Sequence, residues 1–597
     1  MIKNRIEQLR KIMDEKGIYA YIIPSSDFHQ SEYVGEYFKS REFITGFTGS
    51  AGTAVITKDD GGLWTDGRYY LQAEKELKNS GIKLFKAGLE GVPEIEDYLK
   101  EVMPENSTLG FDGKVISVYE GEKLQETLKD KNIKITYEED LIDSIWKERI
   151  SMSNSEGFLL DIKYVGEDFV SKLSRVREAM KEKKSTMHII ATLDDIAWLF
   201  NIRGRDVKYN PVLLSYAVIT LENVYLFIDE NKLTDEMKTE LNKGNTIIKP
   251  YFDIYEFVKE INKDEKVLLD KSKVNYAIYN NIPSDVEKIN ASNPTMLFKA
   301  IKNEVELENI RKCHIRDGVA MTKFMYCVKN NVGKIDMDEI SIDEKLLSFR
   351  KEQENFIEPS FNTIAGYKDH GAIIHYSATR ETAYKLEAEG LLLVDSGGQY
   401  YDGTTDITRM YVLGEIPEIQ KTHFTAVARG MIKLSMAKFM YGCRGYNLDI
   451  LARGPLWEMG LDYRCGTGHG IGFVLNVHEA PNGFRWKIVP ERNDSCILEE
   501  GMVTTNEPGV YIDGSHGIRI ENELITIKGE ATEYGQFMEF EAVTLAPIDL
   551  DGINPELMER KEIEYLNNYH KKVYEEISPF LNEDEKEWLK EYTRTIY

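Results

Sequence analysis

Four carboxylates and one histidine in the second half of the chain have the types and spacing to hold a divalent cation. Asp395 follows the apolar run Leu391-Leu392-Leu393-Val394, a glycine-rich turn comes next, and Asp406 lies on a second strand expected from Thr404 to Val412; a hairpin brings the two aspartates together. Glu507 opens Glu507-Pro508-Gly509-Val510-Tyr511, and Glu521 lies in Gly517-Ile518-Arg519-Ile520-Glu521-Asn522-Glu523. Both are equidistant from Gly514 in the turn Asp513-Gly514-Ser515-His516-Gly517, so simple antiparallel pairing sets the two glutamates opposite each other. Like charges so placed destabilise the pair unless something positive lies between them. Between the hairpins, Gly466-Thr467-Gly468-His469-Gly470-Ile471-Gly472 has alternate glycines that let the backbone approach closely and leave one imidazole projecting.

Two Asp, two Glu and one His suit a hard or borderline divalent ion, Mn2+ above all, better than a structural zinc. Carboxylates can also bridge two ions about 3.5–4 Å apart and hold a hydroxide between them. Taken singly, Asp395 reads as a strand-end turn residue, Asp406 as a solvated strand position, Glu507 and Glu521 as an exposed cross-strand pair and His469 as a loop histidine. As an ordered set in these contexts they point to a metal centre. Rival chemistries lack their motifs. The dinucleotide frame fails because 471 is Ile and 473 is Phe, and no P-loop lysine occurs. His478-Glu479 continues as Ala480-Pro481-Asn482, so there is no His-Glu-x-x-His, and no Gly-x-Ser-x-Gly elbow is present.

The chain that must position these residues has 597 of them, which suggests two to four domains. Its 75 basic and 101 acidic residues give a net charge of −26, which argues against nucleic acid as a partner. With 42% hydrophobic residues it can bury real cores, and no stretch approaches the apolar length of a membrane helix. The start, MIKNRIEQLRKIMDEKG, reads as an amphipathic helix rather than a signal peptide. Five scattered cysteines, Cys313, Cys327, Cys443, Cys465 and Cys496, form no CxxC pair and suit a reducing cytoplasm.

The first half contains a repeat. The segment from Ile6 to Asp27 recurs 167 positions later, with Leu9 matching Val176, Arg10 matching Arg177, Met13 matching Met180 and Ile22-Ile23 matching Ile189-Ile190. Ala54-Val55-Ile56-Thr57 recurs as Ala217-Val218-Ile219-Thr220 at a shift of 163, and Asp66 matches Asp229. The simplest account is two copies of one α/β domain, 1–150 and 151–302, joined through the polar stretch Ile150-Ser151-Met152-Ser153-Asn154-Ser155. Asn303-x-x-Glu306 then has capping-box spacing ahead of a helix carrying Leu307, Ile310 and Val319.

These residues resemble the Xaa-Pro aminopeptidases, the aminopeptidase P group of pita-bread metallopeptidases, in their long three-domain form. The likeness runs over nearly the whole chain. It rests on Tyr21-Ile22-Ile23-Pro24-Ser25 with His29-Gln30-Ser31-Glu32-Tyr33, Trp64-Thr65-Asp66-Gly67-Arg68-Tyr69, Ile373-Ile374-His375-Tyr376, Val394-Asp395-Ser396-Gly397, Asp402-Gly403-Thr404-Thr405-Asp406, Asn476-Val477-His478-Glu479, Asn506-Glu507-Pro508-Gly509 and Gly517-Ile518-Arg519-Ile520-Glu521-Asn522. It implies a fold of class α/β and α+β: two related creatinase/prolidase N-terminal-like domains, then a pita-bread catalytic domain over 303–597 with a C-terminal helical tail. By that resemblance Asp395, Asp406, His469, Glu507 and Glu521 hold two metal ions, usually Mn2+, with Asp406 and Glu521 bridging and Glu507 also serving as proton shuttle. A hydroxide bridging the ions then attacks the bond before a proline in second position.

His375 and His478 match histidines that contact the peptide and its tetrahedral intermediate. Arg519 matches a partner of the metal carboxylates, and Arg68 an arginine able to reach the peptide, with a surface salt bridge as its plainer alternative. One departure stands out. The family often has histidine four residues before the metal-binding one, and Cys465 occupies that place, so no catalytic role passes to it. A homodimer follows by the same resemblance. The alternatives are a prolidase restricted to dipeptides and a non-catalytic peptide-binding protein on the same fold, with metal-free creatinase-like hydrolysis disfavoured by the retained ligands.

Overall fold

A computed structural model describes residues 1–489 and 493–597. The chain forms two compact units, one of 1–161 with 167–295 and the other of 162–166 with 296–597. Among the described residues no helix is long and apolar enough to cross a membrane.

The repeat appears in the first unit as two six-stranded sheets with the same strand order. In sheet order the first contains Lys83–Lys86, Gly61–Thr65, Thr53–Thr57, Ala20–Pro24, Thr108–Phe111 and Lys134–Thr136; the second contains Thr246–Lys249, Val224–Ile228, Ser215–Thr220, Met187–Ile190, Lys266–Leu269 and Glu287–Asn290. In both, the strand after the first long helix runs antiparallel to one neighbour and parallel to the other. The matched residues keep their contacts as well as their positions. Ile6, Leu9 and Met13 are buried on the helix Ile2–Lys16, as Leu173, Val176 and Met180 are on Phe169–Glu182. Arg10 Nε donates to Thr57 O at 3.0 Å, and Arg177 Nε donates to Thr220 O at 3.0 Å. A buried carbonyl at a strand end needs a donor, and the same arginine supplies it twice.

The copies meet reciprocally. Val118 N donates to Val274 O at 3.1 Å, and Tyr276 N donates to Ile116 O at 2.8 Å, each from the first turn of its own helix. Ser117 and Asn275, the two N-caps, face each other across an isolated bridge. The polar stretch 149–157 between the copies has no helix or strand.

The second unit carries the long helix Glu304–Asn331, whose capping box forms as its spacing requires: Asn303 Oδ1 accepts from Val305 N and Glu306 N, and Glu306 Oε2 accepts from Asn303 N, all at 3.0 Å. Leu307, Ile310 and Val319 are buried on it. A three-stranded sheet places Leu391–Ser396 between Ile364–Tyr367 and Ile407–Val412. A six-stranded sheet runs in the order Phe439–Met440, Gly535–Ala542, Asn522–Thr532, Val503–Asn506, Gly468–Gly470, Glu479–Phe484. The helices Glu418–Ser435 and Arg560–Ile577 bury Phe424, Val427, Met431, Leu566, Val573 and Ile577 in the shared core. The tail closes with the helix Glu583–Tyr592.

The expected continuous strand from Thr404 to Val412 is broken. Gly403–Thr404 pairs with Gly398–Tyr400, Ile407–Val412 pairs with Leu391–Ser396, and residues 405 and 406 lie between the two ladders. The glycine-rich turn of the first hairpin therefore contains a small hairpin of its own, and Asp406 sits at a break rather than on a strand.

Candidate metal centre

The two glutamates face each other as the symmetry about Gly514 requires. Asn506 pairs with Asn522 on one side and Gly509 with Arg519 on the other, so the same register carries Glu507 and Glu521 into opposition at the gap between the two ladders. Backbone bonds fix both ends of this gap. Glu507 N donates to Thr467 O at 2.7 Å, tying it to the glycine strip, and Glu521 N donates to Thr408 O at 3.2 Å, tying it to the aspartate strand. The glycine strip is wedged tightly, because a Cβ on Gly468 would stand 1.9 Å from the Thr505 carbonyl oxygen.

These constraints bring one ligand atom each of Asp406, His469 and Glu521 within 4.8 Å of one another. His469 Nε2 lies 3.4 Å from Asp406 Oδ2 and 3.3 Å from Glu507 Oε1. Its Nδ1 is 3.0 Å from Gly470 O, and a carbonyl can only accept, so Nδ1 carries the proton. In the neutral ring Nε2 then presents a bare lone pair to carboxylate oxygens. That arrangement repels unless a proton or a metal cation lies between them.

Asp395 joins the cluster through Arg519, whose Nη2 donates to Asp395 Oδ2 at 2.5 Å while its Nε reaches Thr408 Oγ1 at 3.1 Å and its Nη1 reaches Tyr511 OH at 2.8 Å. Thr408 passes the contact on, donating to Glu521 Oε2 at 2.7 Å. The buried oxygens Asp395 Oδ1 and Glu521 Oε1 have no hydrogen-bond partner. A carboxylate oxygen can only accept, so these two atoms await a donor or a metal. Burial first, then the charges of Asp395 and Glu507, holds the Asp406 carboxyl well above the usual carboxylate range. Burial first, then Asp406 and Glu507, does the same for Glu521. Without an added cation the site resists its own ionisation, and the donor set and the orphaned oxygens fit divalent metal.

The His478 ring meets His469 edge-on, with centroids 4.3 Å apart and planes at 87°. His375 is half-buried in the segment after the 3-10 turn Lys368–Ala372, and the next residue, Tyr376, donates through its hydroxyl to Glu339 Oε2 at 2.9 Å. Arg68 belongs to the first unit, where its Nε and Nη2 grip Asp66 at 2.9 and 2.7 Å. Cys465 stays a neutral thiol, because burial foremost and then Glu507 push it up to about 11.

Residues outside the expected set also shape the centre. Thr408, Tyr511 and Thr505, whose hydroxyl donates to Glu507 Oε1 at 3.1 Å, place the carboxylates. Glu523 and His314 lie behind Asp406. The alternation Glu521-Asn522-Glu523 carries the signal for Glu523, since residues two apart on a strand share a face. His314 has no such local signal.

Family models agree with this layout. Residues 308–528 match the metallopeptidase family M24, and 536–596 match the C-terminal region of peptidase M24. Residues 5–145 and 148–306 each match a creatinase/prolidase N-terminal domain. Over 616 aligned residues the chain is 39% identical to Xaa-Pro aminopeptidase 1 of Dictyostelium discoideum, covering 100% of this chain and 97% of that one. The chain belongs to the Xaa-Pro aminopeptidases. Aminopeptidase P2 of Arabidopsis thaliana is 37% identical, with 100% of this chain and 89% of that one covered. Among solved structures, an X-prolyl aminopeptidase from Caenorhabditis elegans, described as a cytosolic enzyme with a di-nuclear active site, superposes with a TM-score of 0.95 at 32% identity over 100% of both chains. The Xaa-Pro aminopeptidase architecture of two creatinase-type domains followed by a metallopeptidase domain is the one expected from the motifs.

Proposed function

We propose that this chain is a cytoplasmic aminopeptidase that removes the N-terminal residue from peptides with proline in second position, using two divalent ions, Mn2+ in the first place, held by Asp395, Asp406, His469, Glu507 and Glu521. The observation that carries the reading is the pair of buried, partnerless carboxylate oxygens on Asp395 and Glu521 beside an imidazole whose free nitrogen faces acidic groups. Such a pair of ions, when bound, supplies Lewis acidity and an activated water.

The chain's own residues divide the remaining work by exposure. Side-chain exposure is 19% for Glu507 but 7% for Asp406 and 11% for Asp395, so Glu507 is the carboxylate best placed to exchange a proton with a leaving proline nitrogen. Thr505 fixes one of its oxygens while leaving the other available. His478, edge-on to His469, and His375 are assigned to the peptide and its tetrahedral intermediate, with Arg519 orienting Asp395. A dedicated site suits this bond, because proline offers no N–H to a sheet-like cleft and its ring restricts the residue before it. The three-domain division at 150 and 302 and a homodimer belong to the same reading.

The test is a peptide-length series on protein stripped of metal and reloaded with Mn2+. Hydrolysis of an Xaa-Pro-Xaa tripeptide is expected. Cleavage of the Xaa-Pro dipeptide alone would make the chain a prolidase, and no cleavage by correctly folded, loaded protein would make it a binding protein.

A further inference from the structure

Asp406 sits where its strand breaks, and its backbone N–H needs an acceptor that the ladders do not give. Thr404 pairs with Gln399 and Ile407 with Ser396, while Thr405 N donates to Gly398 O at 2.9 Å. Asp406 N instead donates to Glu523 Oε1 at 2.7 Å. Glu523 is wholly buried, and its other oxygen lies 3.1 Å from Nε2 of the equally enclosed His314 on the helix Glu304–Asn331. Its own N–H donates to Thr544 Oγ1 at 2.8 Å, so its backbone is held.

A fifth carboxylate beside four others adds repulsion, and it is costly to bury unless it is paired and hydrogen-bonded. Here one oxygen takes a peptide N–H, while the other faces His314 Nε2 at 3.1 Å without a hydrogen bond. The N–H bond to a carboxylate is short and of the stronger, charge-assisted kind. It acts on a ligand whose backbone lies between ladders, as do Glu507 and Glu521, whose N–H groups go instead to the Thr467 and Thr408 carbonyls. Asp395 has the strand Leu391–Ser396, and the two glutamates have their flanking ladders and the bonds to Thr467 and Thr408.

We infer that Glu523 is a positioning residue: with its own backbone held in the strand and by Thr544, it fixes the Asp406 peptide and so aims the Asp406 carboxylate at His469 and Glu521. The role rests on reading the cluster as a metal centre. It predicts that the hydrogen bond, rather than the charge of Glu523, is what the site needs.

The experiment compares Mn2+ affinity by calorimetry, and the visible spectrum of Co2+-loaded protein, in wild type, Glu523→Leu and Glu523→Gln. Glu523→Leu removes the acceptor and should weaken Mn2+ binding about 10- to 100-fold, as loss of a ligand-orienting contact generally does, with a changed Co2+ spectrum. Glu523→Gln keeps an oxygen for the Asp406 N–H and turns its NH2 toward His314, so it should stay near wild type in both readouts. Wild-type affinity and spectrum in Glu523→Leu overturn the role, and so does an equal loss in both variants. If Glu523→Leu does not fold by circular dichroism, Glu523→Asp shortens the reach by one methylene while keeping the charge. Weakened binding there supports the role, and wild-type binding overturns it. Failure of the wild-type chain to bind Mn2+ at all would instead bring down the metal-centre reading itself.

Discussion

Two buried acidic sites, one in each unit, treat charge in opposite ways. In the first, Lys232 Nζ meets Asp206 Oδ2 at 2.6 Å with side chains only 4% and 0% exposed, and that oxygen also accepts from Leu214 N at 2.7 Å. The buried Lys172 donates to Trp198 O at 3.0 Å and Asn201 Oδ1 at 2.6 Å. In the second, Asp395, Asp406, Glu507 and Glu521 converge on one arginine and one histidine. Burial of charge is tolerated when the chain supplies the opposite charge, as Lys232 does for Asp206. Where it does not, the missing counter-charge must come from outside, and the departure from self-sufficiency marks the functional site.

Neutralising one buried charge should therefore have opposite effects in the two places. Glu521→Gln is expected to remove measurable peptidase activity and yet raise the melting temperature of the metal-free protein, because it relieves repulsion; a lowered metal-free melting temperature would count against this account. Glu507→Gln, read as loss of the proton shuttle, should lower kcat by about 10²- to 10⁴-fold in steady-state assays. In the first unit, Lys232→Met leaves Asp206 buried without its ion and should cost about 3–5 kcal/mol by denaturant unfolding. An unchanged midpoint there would erase the contrast.

The smallest effect is a pH slope. The Asp406 and Glu521 carboxyls titrate above their unfolded values, which lie near about 4. Between those unfolded values and the raised folded ones, the metal-free folded chain holds more protons than the unfolded chain. Their contribution to stability is thus fully present below about pH 4 and is lost as pH rises through the raised values. Thermal melts of metal-free protein should show that decline, and saturating Mn2+ should flatten it.

Much of this was legible in the residue order. The opposition of Glu507 and Glu521 follows from their equal distance to Gly514, and the wedged strip around His469 follows from alternating glycines. The matched Arg10 and Arg177 foretold one α/β plan used twice, and the structure shows why arginine recurs: it satisfies the same strand-end carbonyl in each copy. Less visible was anything set by contacts between distant segments. The break at 405 and 406 depends on a small hairpin inside what reads as one turn. His314 lies on a long helix whose pattern explains its burial without it, and only folding brings it to Glu523. The reciprocal bonds of Val118 and Tyr276 join segments with no sequence sign that they meet.

The central claim, that this cluster of buried carboxylates is completed by metal, is tested most directly by titrating metal-free protein with Mn2+ in buffers of different ionisation enthalpy. Two ions per chain, bound with release of protons from the Asp406 and Glu521 carboxyls, is the expected result. Absence of binding, or binding without proton release at a pH where those carboxyls are protonated, would contradict it.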